Sequence, residues 1–418
     1  MTGQKGNLMF AQSGGPTAVI NSSAAGVFLE ALGHSDVIGK VYGAHHGIIG
    51  VLREDFYDIG QEDPHELRLL KQTPSSILGS CRYKLKDPGV DETDYLRLLE
   101  VFRKYNIRYF FYNGGNDSMD TCLKIDRYLK DKQYECQVIG VPKTIDNDLA
   151  VTDHCPGYGS AARYIATTMM EIHQDAIVYE KDQITIVEIM GRNAGWLTAA
   201  SALARQKGYG PDLIYLPERT FDLDQFYEEV AEARKSDGKA IICVSEGLKT
   251  KSGEYVTELD GMVGTDAFGH KQLSGTAELL GKLLAERFDV KVRSIEFSLM
   301  QRCASHLASR QDVDDSFNAG REAVNAALNG ESGIMIGFRR PEKGVYRTEL
   351  IYIPLEDVAN AEHKVPDEYI SEDGRRLTSS FMDYAMPLIQ GEPELLLEDS
   401  RPRFSRLKLL QAGDPRHS

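Results

Sequence analysis

The segment PKTIDNDLAVTD, which begins at Pro142, combines one cation with two carboxylates at short spacing. Lys143 precedes Asp146 and Asp148, which lie two positions apart. A carboxylate can take a proton from a hydroxyl group, and a neighbouring cation can neutralise the charge of a transferred phosphoryl group. The alternative interpretation is a polar turn whose carboxylates cap a helix. Because Pro142 constrains how the chain enters the segment, we favour the chemical interpretation.

Three further polar segments contain residues that bind anions. They are QSGGPT at 12–17, NGGNDS at 113–118 and MGR at 190–192. The glycine pairs of the first two allow backbone N–H groups to approach an anion at a helix N-terminus, whose dipole favours negative charge. Neither pair belongs to a GxxxxGK[ST] or GxGxxG pattern, which disfavours a Walker-type loop and a nicotinamide site. One such turn is weak support for phosphate binding, but four are hard to explain as connectors.

Each of these segments follows a short apolar run that is typical of a buried strand. Strands are predicted at Leu8–Ala11, Ile107–Tyr112, Gln137–Val141, Ile184–Ile189, Leu213–Leu216, Ala240–Val244 and Val292–Phe297. Helical periodicity predicts helices at about 18–32, 95–105, 163–173, 196–204, 224–233, 277–287 and 316–328, and Ser118 is placed to cap a further helix. This alternation predicts an α/β fold with mainly parallel sheets, in which ligands bind beyond the carboxyl ends of the strands.

Composition narrows the class of protein. The chain has 418 residues, which predicts two or three domains, and its 42% hydrophobic residues suffice for a large core. Its net charge of −15 disfavours a general nucleic-acid binder and a protein held to anionic membranes. Six scattered cysteines without zinc spacing predict reduced thiols and a cytoplasmic location. Polar residues interrupt the uncharged stretch from Gly6 to Leu29, so no signal peptide or membrane helix is expected.

The motifs, together with GSCR at 79–82, SEG at 245–247, GHKQLSG at 269–275 and MQR at 300–302, resemble the phosphofructokinase family in type and order. The resemblance covers about residues 7–340 and is to the pyrophosphate-dependent branch. It implies two three-layer αβα, Rossmann-like lobes with the active site in the cleft between them. Residues 1–157 with 301–355 would form the lobe for pyrophosphate and Mg²⁺, and residues 158–300 with 356–418 the fructose 6-phosphate lobe. It also implies a homodimer or homotetramer whose subunits share the substrate site.

The resemblance also assigns roles to individual residues. Asp146 corresponds to the base that takes the proton from the 1-hydroxyl of fructose 6-phosphate, with Lys143 and Arg192 near the transferred phosphoryl group. An ordinary carboxyl pKa of about 4 would leave Asp146 ionised at neutral pH. The implied donor-binding residues are Gly14, Gly15, Arg82, Gly115 and Asp117. The implied sugar-binding residues are Thr144, Asp148, Met190, Gly191, Arg192, Glu246, Arg302 and Arg293, the last acting from a neighbouring subunit.

Two positions predict the phosphoryl donor, because the ATP-dependent members resemble GGDGS and PGTIDND. Asp117 and Lys143 stand where those members have glycine, and both are marks of the pyrophosphate-dependent branch. Asn116, the candidate metal ligand, stands where the family usually has a metal-associated aspartate. Gln183 and Leu299 also depart from the usual pattern.

Two alternatives remain open at this point. One is an ATP-dependent 6-phosphofructokinase. The other is a non-catalytic regulatory subunit of the same fold, which the three departures would suit but the retention of Lys143, Asp146 and Arg192 disfavours. Residues 248–275 are expected to form an insertion or lid, and the charged tail from Gly391 is expected to be partly disordered.

Overall fold

The computed structural model describes residues 5–260, 275–341 and 346–413. Its strands are β1 (Gly6–Gln12), β2 (Ile38–Ala44), β3 (Phe56–Asp58), β4 (Ile107–Gly114), β5 (Gln137–Pro142), β6 (Gln183–Ile189), β7 (Leu213–Tyr215), β8 (Lys239–Ser245), β9 (Lys291–Glu296), β10 (Ile334–Arg339), β11 (Glu349–Pro354), β12 (Leu397–Glu398) and β13 (Arg401–Pro402). Its α-helices are α1 (Ile20–Gly33), α2 (Ile48–Arg53), α3 (Pro64–Leu69), α4 (Thr93–Lys104), α5 (Asn116–Asp131), α6 (Tyr158–Ile177), α7 (Trp196–Ala200), α8 (Ala202–Arg205), α9 (Leu223–Ala233), α10 (Thr276–Phe288), α11 (Met300–Cys303), α12 (Arg310–Leu328), α13 (Leu355–Val358) and α14 (Ser379–Ala385).

A seven-stranded sheet organises the first lobe, in the order β11-β10-β5-β4-β1-β2-β3. Its central strands are parallel, and the edge strands β3 and β11 are antiparallel to their neighbours. Alternate residues of β1 enter different cores, since Leu8 and Phe10 pack with α1 and α12 whereas Met9 and Ala11 pack with α4 and α5. Both faces are therefore buried, which explains the continuous apolar runs in the sequence.

A four-stranded parallel sheet organises the second lobe, in the order β7-β8-β6-β9. Val187 and Ile189 of β6 pack on the side of α6, α7 and α8, and Ile184 and Ile186 pack on the side of α9 and α10. The predicted α/β class with helices on both faces of mainly parallel sheets is confirmed. The predicted cap is wrong: α5 begins at Asn116, so Ser118 lies inside its first turn rather than at its N-cap.

The C-terminal segment 396–412 packs on the first lobe. Backbone N–H groups of Lys408 and Leu409 donate to the Glu62 carboxylate at 2.7 Å each, and Arg403 forms an ion pair with Glu66. Residues 414–418 lie outside the described residues, so the expectation of a partly disordered tail stays a prediction, but these contacts anchor the 396–412 segment. The contacts also attach it to the lobe opposite to the one predicted for residues 356–418. The other lobe boundaries stay a prediction.

The segment expected to be an insertion or lid is described only in part. Residues 248–260 form a turn and a short 3₁₀ helix, Val256–Asp260, and Lys249 pairs with Tyr255 in an isolated bridge. Residues 261–274, with most of the GHKQLSG motif, lie outside the described residues. Among the described helices, none is long and apolar enough to cross a membrane.

Candidate active site

The cleft between the lobes lies at the carboxyl ends of strands from both sheets and encloses about 850 Å³. Turns after β1, β4 and β5 form one wall, and turns after β6 and β8 form the other. Fourteen of the predicted site residues line it: Gly14, Gly15, Arg82, Gly115, Asn116, Asp117, Lys143, Thr144, Asp146, Asp148, Met190, Arg192, Glu246 and Arg302. Parallel strands bring these turns together because their carboxyl ends share one edge of each sheet.

Lys143 is the buried cation of the first wall. It is only 3% exposed, and its Nζ donates to the carbonyl oxygen of Gly15 at 2.6 Å. Gly14 has a φ of +76°, and a Cβ atom there would lie 3.1 Å from Lys143 Nζ, so a larger residue would crowd the cation. Burial lowers the pKa of Lys143 to about 8, although the charges of Asp146 and Asp148 oppose that shift. The ammonium group therefore loses its proton at a pH much closer to neutrality than an exposed lysine does.

The two carboxylates after β5 are also shielded from water, although less completely than Lys143. The backbone N–H of Asp146 donates to Thr144 Oγ1 at 3.0 Å, which shapes the turn. Burial raises the pKa of Asp146, and the charges of Lys143 and Arg192 oppose the increase. Burial and the charge of Asp146 raise the pKa of Asp148 to about 7. Asp146 thus needs the charges of neighbouring cations to stay ionised, whereas a carboxyl group exposed to water stays ionised at neutral pH without them.

The second wall is held together by hydrogen bonds between its turns. The Met190 N–H donates to Gln301 Oε1 at 3.2 Å, and the Gly191 N–H donates to Glu246 Oε1 at 3.4 Å. Burial raises the pKa of Glu246 to about 7. The two walls approach each other at Arg302, because a Cβ atom on Gly15 would lie 3.3 Å from Arg302 Nη1.

Asn116 and Asp117 begin α5 at the donor end of the cleft. Asn116 Nδ2 donates to the carbonyl oxygen of Ala361 at 2.6 Å, and its Oδ1 atom is buried without a partner among the described residues. The Asp117 side chain is 67% exposed, and its Oδ1 atom lies 3.4 Å from Lys84 Nζ. Asp117 therefore presents a carboxylate to the open part of the cleft, next to a cation that the sequence analysis overlooked.

Arg293 does not line the cleft. It lies on the edge strand β9, where its Nη1 atom is 2.6 Å from Asp175 Oδ2 and its guanidinium group lies over the ring of Tyr179. Its predicted action on a neighbouring subunit stays a prediction. Gly191, the other predicted residue absent from the lining, lies directly between two residues that do line it.

Several lining residues were missed by the sequence analysis. They are Ser13, Pro16, Cys81, Tyr83, Lys84, Ser118, Ile145, Asn193, Ala194, Tyr255 and Glu362. Five of them lie inside recognised motifs without having been singled out as site residues, and Tyr83, Lys84, Asn193 and Ala194 directly follow a motif, so membership of a motif or a position next to one was the available signal. Glu362 adjoins no motif and arrives from a segment after β11, so only the tertiary structure could reveal it.

A magnesium ion, which the family resemblance implies, is compatible with the oxygen atoms of this cleft. Asn116 Oδ1 and Asp148 Oδ1 are both buried and lack a partner among the described residues. Within the described ranges there is no group of three or more His, Cys, Asp or Glu that could hold a metal ion. Mg²⁺ usually keeps several waters and uses one or two carboxylates plus substrate phosphates, so this donor set fits it.

Two layered α/β lobes, with cations and carboxylates gathered in the cleft between them, define a protein that binds phosphorylated substrates and transfers phosphoryl groups. Residues 7–309 match the family described as Phosphofructokinase, and the chain belongs to that family. The chain is 44% identical to pyrophosphate--fructose 6-phosphate 1-phosphotransferase of Halomonas elongata, with 96% of each chain covered. The enzyme of the same name from Methylococcus capsulatus is 43% identical, with 92% of each chain covered.

The structural comparison agrees with the sequence comparison. The crystal structure of pyrophosphate-dependent phosphofructokinase from Marinobacter aquaeolei superposes with a TM-score of 0.87 at 38% identity. The match covers 98% of this chain and 97% of that one. The predicted resemblance to the pyrophosphate-dependent branch of the family is confirmed.

Proposed function

We propose that this chain transfers a phosphoryl group from pyrophosphate to the 1-hydroxyl of D-fructose 6-phosphate, reversibly, giving fructose 1,6-bisphosphate and phosphate. The observation that carries the proposal is Lys143, a buried cation fixed on the carbonyl oxygen of Gly15 in the donor turn. A compact donor without a nucleoside needs such a charge close to its phosphates. Relatives that are 40–44% identical over most of the chain carry the name of this activity.

Asp146 is the base in this proposal. As the 1-hydroxyl oxygen forms its bond to the phosphorus atom, the hydroxyl proton passes to the Asp146 carboxylate. The bond from phosphorus to the bridging oxygen breaks, and phosphate leaves. Because burial raises the pKa of Asp146 while Lys143 and Arg192 oppose that effect, the carboxylate is a stronger base than an exposed aspartate yet stays available.

The cations and the glycine turns stabilise the transferred group. Lys143, Arg192 and the N–H groups of the Gly14-Gly15 turn neutralise charge on the phosphoryl oxygens. Mg²⁺ bound with pyrophosphate would supply further neutralisation, with Asn116 and Asp148 as its protein contacts. Arg82 and Gly115 complete the donor side.

The acceptor side consists of groups that can orient a sugar. Glu246 and Asp148 accept hydrogen bonds from sugar hydroxyl groups, and Thr144 lies beside them. Met190 and Gly191 line the sugar site through their backbone, and Arg302 holds the substrate between the two walls. This arrangement supports in-line placement of the 1-hydroxyl against the donor.

Asp117 selects the donor by exclusion. Its exposed carboxylate occupies the position where a nucleotide's α-phosphate would approach, and it repels that phosphate by bulk and charge. We further propose that the chain works in the cytoplasm as a homodimer or homotetramer, with Arg293 reaching the 6-phosphate held by a neighbouring subunit.

One assay tests the reaction. The purified full chain is incubated with fructose 6-phosphate, Mg²⁺ and either pyrophosphate or ATP, and fructose 1,6-bisphosphate is followed through an aldolase-coupled reaction. We expect fructose 1,6-bisphosphate when pyrophosphate is the donor. We also expect pyrophosphate to form when the chain is incubated with fructose 1,6-bisphosphate and phosphate. Product with ATP alone would support an ATP-dependent 6-phosphofructokinase instead. Absence of product with both donors would favour a regulatory subunit.

A further inference from the structure

Residues 360–363 cross the cleft and contact both of its walls. Asn360 Nδ2 donates to Asp120 of α5 at 3.2 Å, and the Ala361 carbonyl oxygen accepts from Asn116 at 2.6 Å. The His363 N–H donates to the Asp148 carbonyl oxygen at 2.8 Å. On the other side, the His363 carbonyl oxygen accepts from Trp196 Nε1 of α7 at 2.9 Å. The 360–363 segment therefore ties the donor turn, the Asp148 turn and the second lobe together.

This segment explains why position 116 is an asparagine. The Ala361 carbonyl oxygen can only accept a hydrogen bond, so the group that faces it at 2.6 Å must be a donor. The amide of Asn116 meets this requirement, whereas an ionised aspartate would set a negative oxygen against the carbonyl. The same hydrogen bond fixes the orientation of the amide and leaves Oδ1 buried without a partner among the described residues.

Glu362 lies between the two anchored residues of the segment. Ala361 on one side contacts Asn116, and His363 on the other contacts the backbone of Asp148. Glu362 itself pairs with Leu149 in an isolated bridge, and it lines the same cleft as Asn116 and Asp148. The 360–363 segment thus brings an exposed carboxylate to the cleft that also contains the uncharged Asn116.

We propose that Glu362 is a ligand of the divalent cation that accompanies pyrophosphate, acting together with Asn116 Oδ1 and Asp148 Oδ1. The proposal rests on the function proposed above. The two buried oxygen atoms without partners among the described residues are the independent sign of a missing ligand, and Glu362 supplies a carboxylate that the donor turn lacks. Two carboxylates and one amide oxygen, completed by water and phosphate oxygens, suit Mg²⁺.

Direct metal binding tests the proposal without relying on turnover. The full chain is titrated with Mn²⁺, with and without methylenediphosphonate as an inert pyrophosphate analogue, and free Mn²⁺ is measured by electron paramagnetic resonance. We expect Glu362→Gln to weaken Mn²⁺ binding about tenfold or more. Glu368→Gln is the matched control, because it removes the same charge from an exposed site outside the cleft.

A second variant separates ligation from a general charge effect. Glu362→Asp keeps the negative charge but shortens the side chain by one methylene group, so we expect its Mn²⁺ affinity to lie between that of Glu362→Gln and that of the unmodified chain. Wild-type affinity in Glu362→Gln, or an equal loss in Glu368→Gln, would overturn the proposal. Fructose 6-phosphate binding, measured by calorimetry in each variant, checks that the cleft is intact. Failure of the proposed reaction would instead appear as absence of product in the unmodified chain.

Discussion

Replacing Asp146 with asparagine tests both the base and the electrostatic coupling of the cleft. The amide keeps the shape of the side chain but cannot accept the hydroxyl proton. A general base contributes about 10²–10⁴ in rate, which corresponds to about 2.7–5.4 kcal/mol of activation free energy at ~1.36 kcal/mol per tenfold. We therefore expect turnover to fall by that factor, while the affinity for fructose 6-phosphate changes much less.

The same substitution should change the titration of Lys143. Burial already lowers the pKa of this lysine to about 8, and the negative charge of Asp146 is the largest opposing influence. Two charges ~4 Å apart at an effective dielectric near 20 interact by about 4 kcal/mol, which sets the scale of such coupling. Without Asp146 the pKa of Lys143 falls further, so the lysine loses its charge at a lower pH. The affinity for pyrophosphate should then weaken at a lower pH than in the unmodified chain.

The assay measures kcat and the KM for pyrophosphate between about pH 6 and 9. This range spans the ordinary pKa of histidine and the lowered pKa of Lys143. Calorimetry measures the binding of fructose 6-phosphate separately. Glu368→Gln is the control, because it removes an exposed carboxylate outside the cleft without removing the base. Turnover above about a tenth of the unmodified value would remove Asp146 from the role of base. An unchanged pH dependence of the KM for pyrophosphate would refute the coupling to Lys143.

Three further predictions concern donor choice, the shared site and stability. Asp117→Gly should admit ATP and give weak ATP-dependent activity, because it removes the obstructing carboxylate. The measurement is kcat/KM for both donors, and undetectable ATP activity in a variant that still binds fructose 6-phosphate would contradict this prediction. Mixing Arg293→Ala chains with Asp146→Asn chains should restore some activity, since a hybrid oligomer can assemble one intact site; baseline activity in confirmed hybrids would argue against a shared site. His154→Gln should lower the free energy of unfolding by about 3–5 kcal/mol at pH 6, because it breaks a buried ion pair with Asp153 and Asp315. Burial opposes the charge of His154, but these two carboxylates raise its pKa to about 9, so its contribution is fully present below the unfolded pKa of about 6.5 and is lost as the pH rises through about 9. Thermal unfolding at pH 6 and pH 10 checks this, and an equal loss at both pH values would contradict it.

Local sequence predicted the central strands and the turns that follow them. The apolar run of β4 and the glycine pair after it lie within one short segment, so their structure depends mainly on neighbouring residues. The strands β2, β3, β10 and β11 were not predicted. Glycine and lysine interrupt β2, and β3 is only three residues long, so neither shows a clear apolar pattern. The edge strand β11 is only partly buried, which weakens its apolar signal.

The sequence by itself determined which residue types follow the strands, and the order of these motifs was enough to indicate the family. Only the tertiary structure brought Glu362 into the same cleft as Asn116, placed Arg293 outside the cleft and anchored the C-terminal segment on the first lobe. It also decided the raised pKa of Asp146 and the lowered pKa of Lys143. Burial and the charges of distant residues set these properties, because desolvation and electrostatic interaction depend on distance in space rather than on separation along the chain.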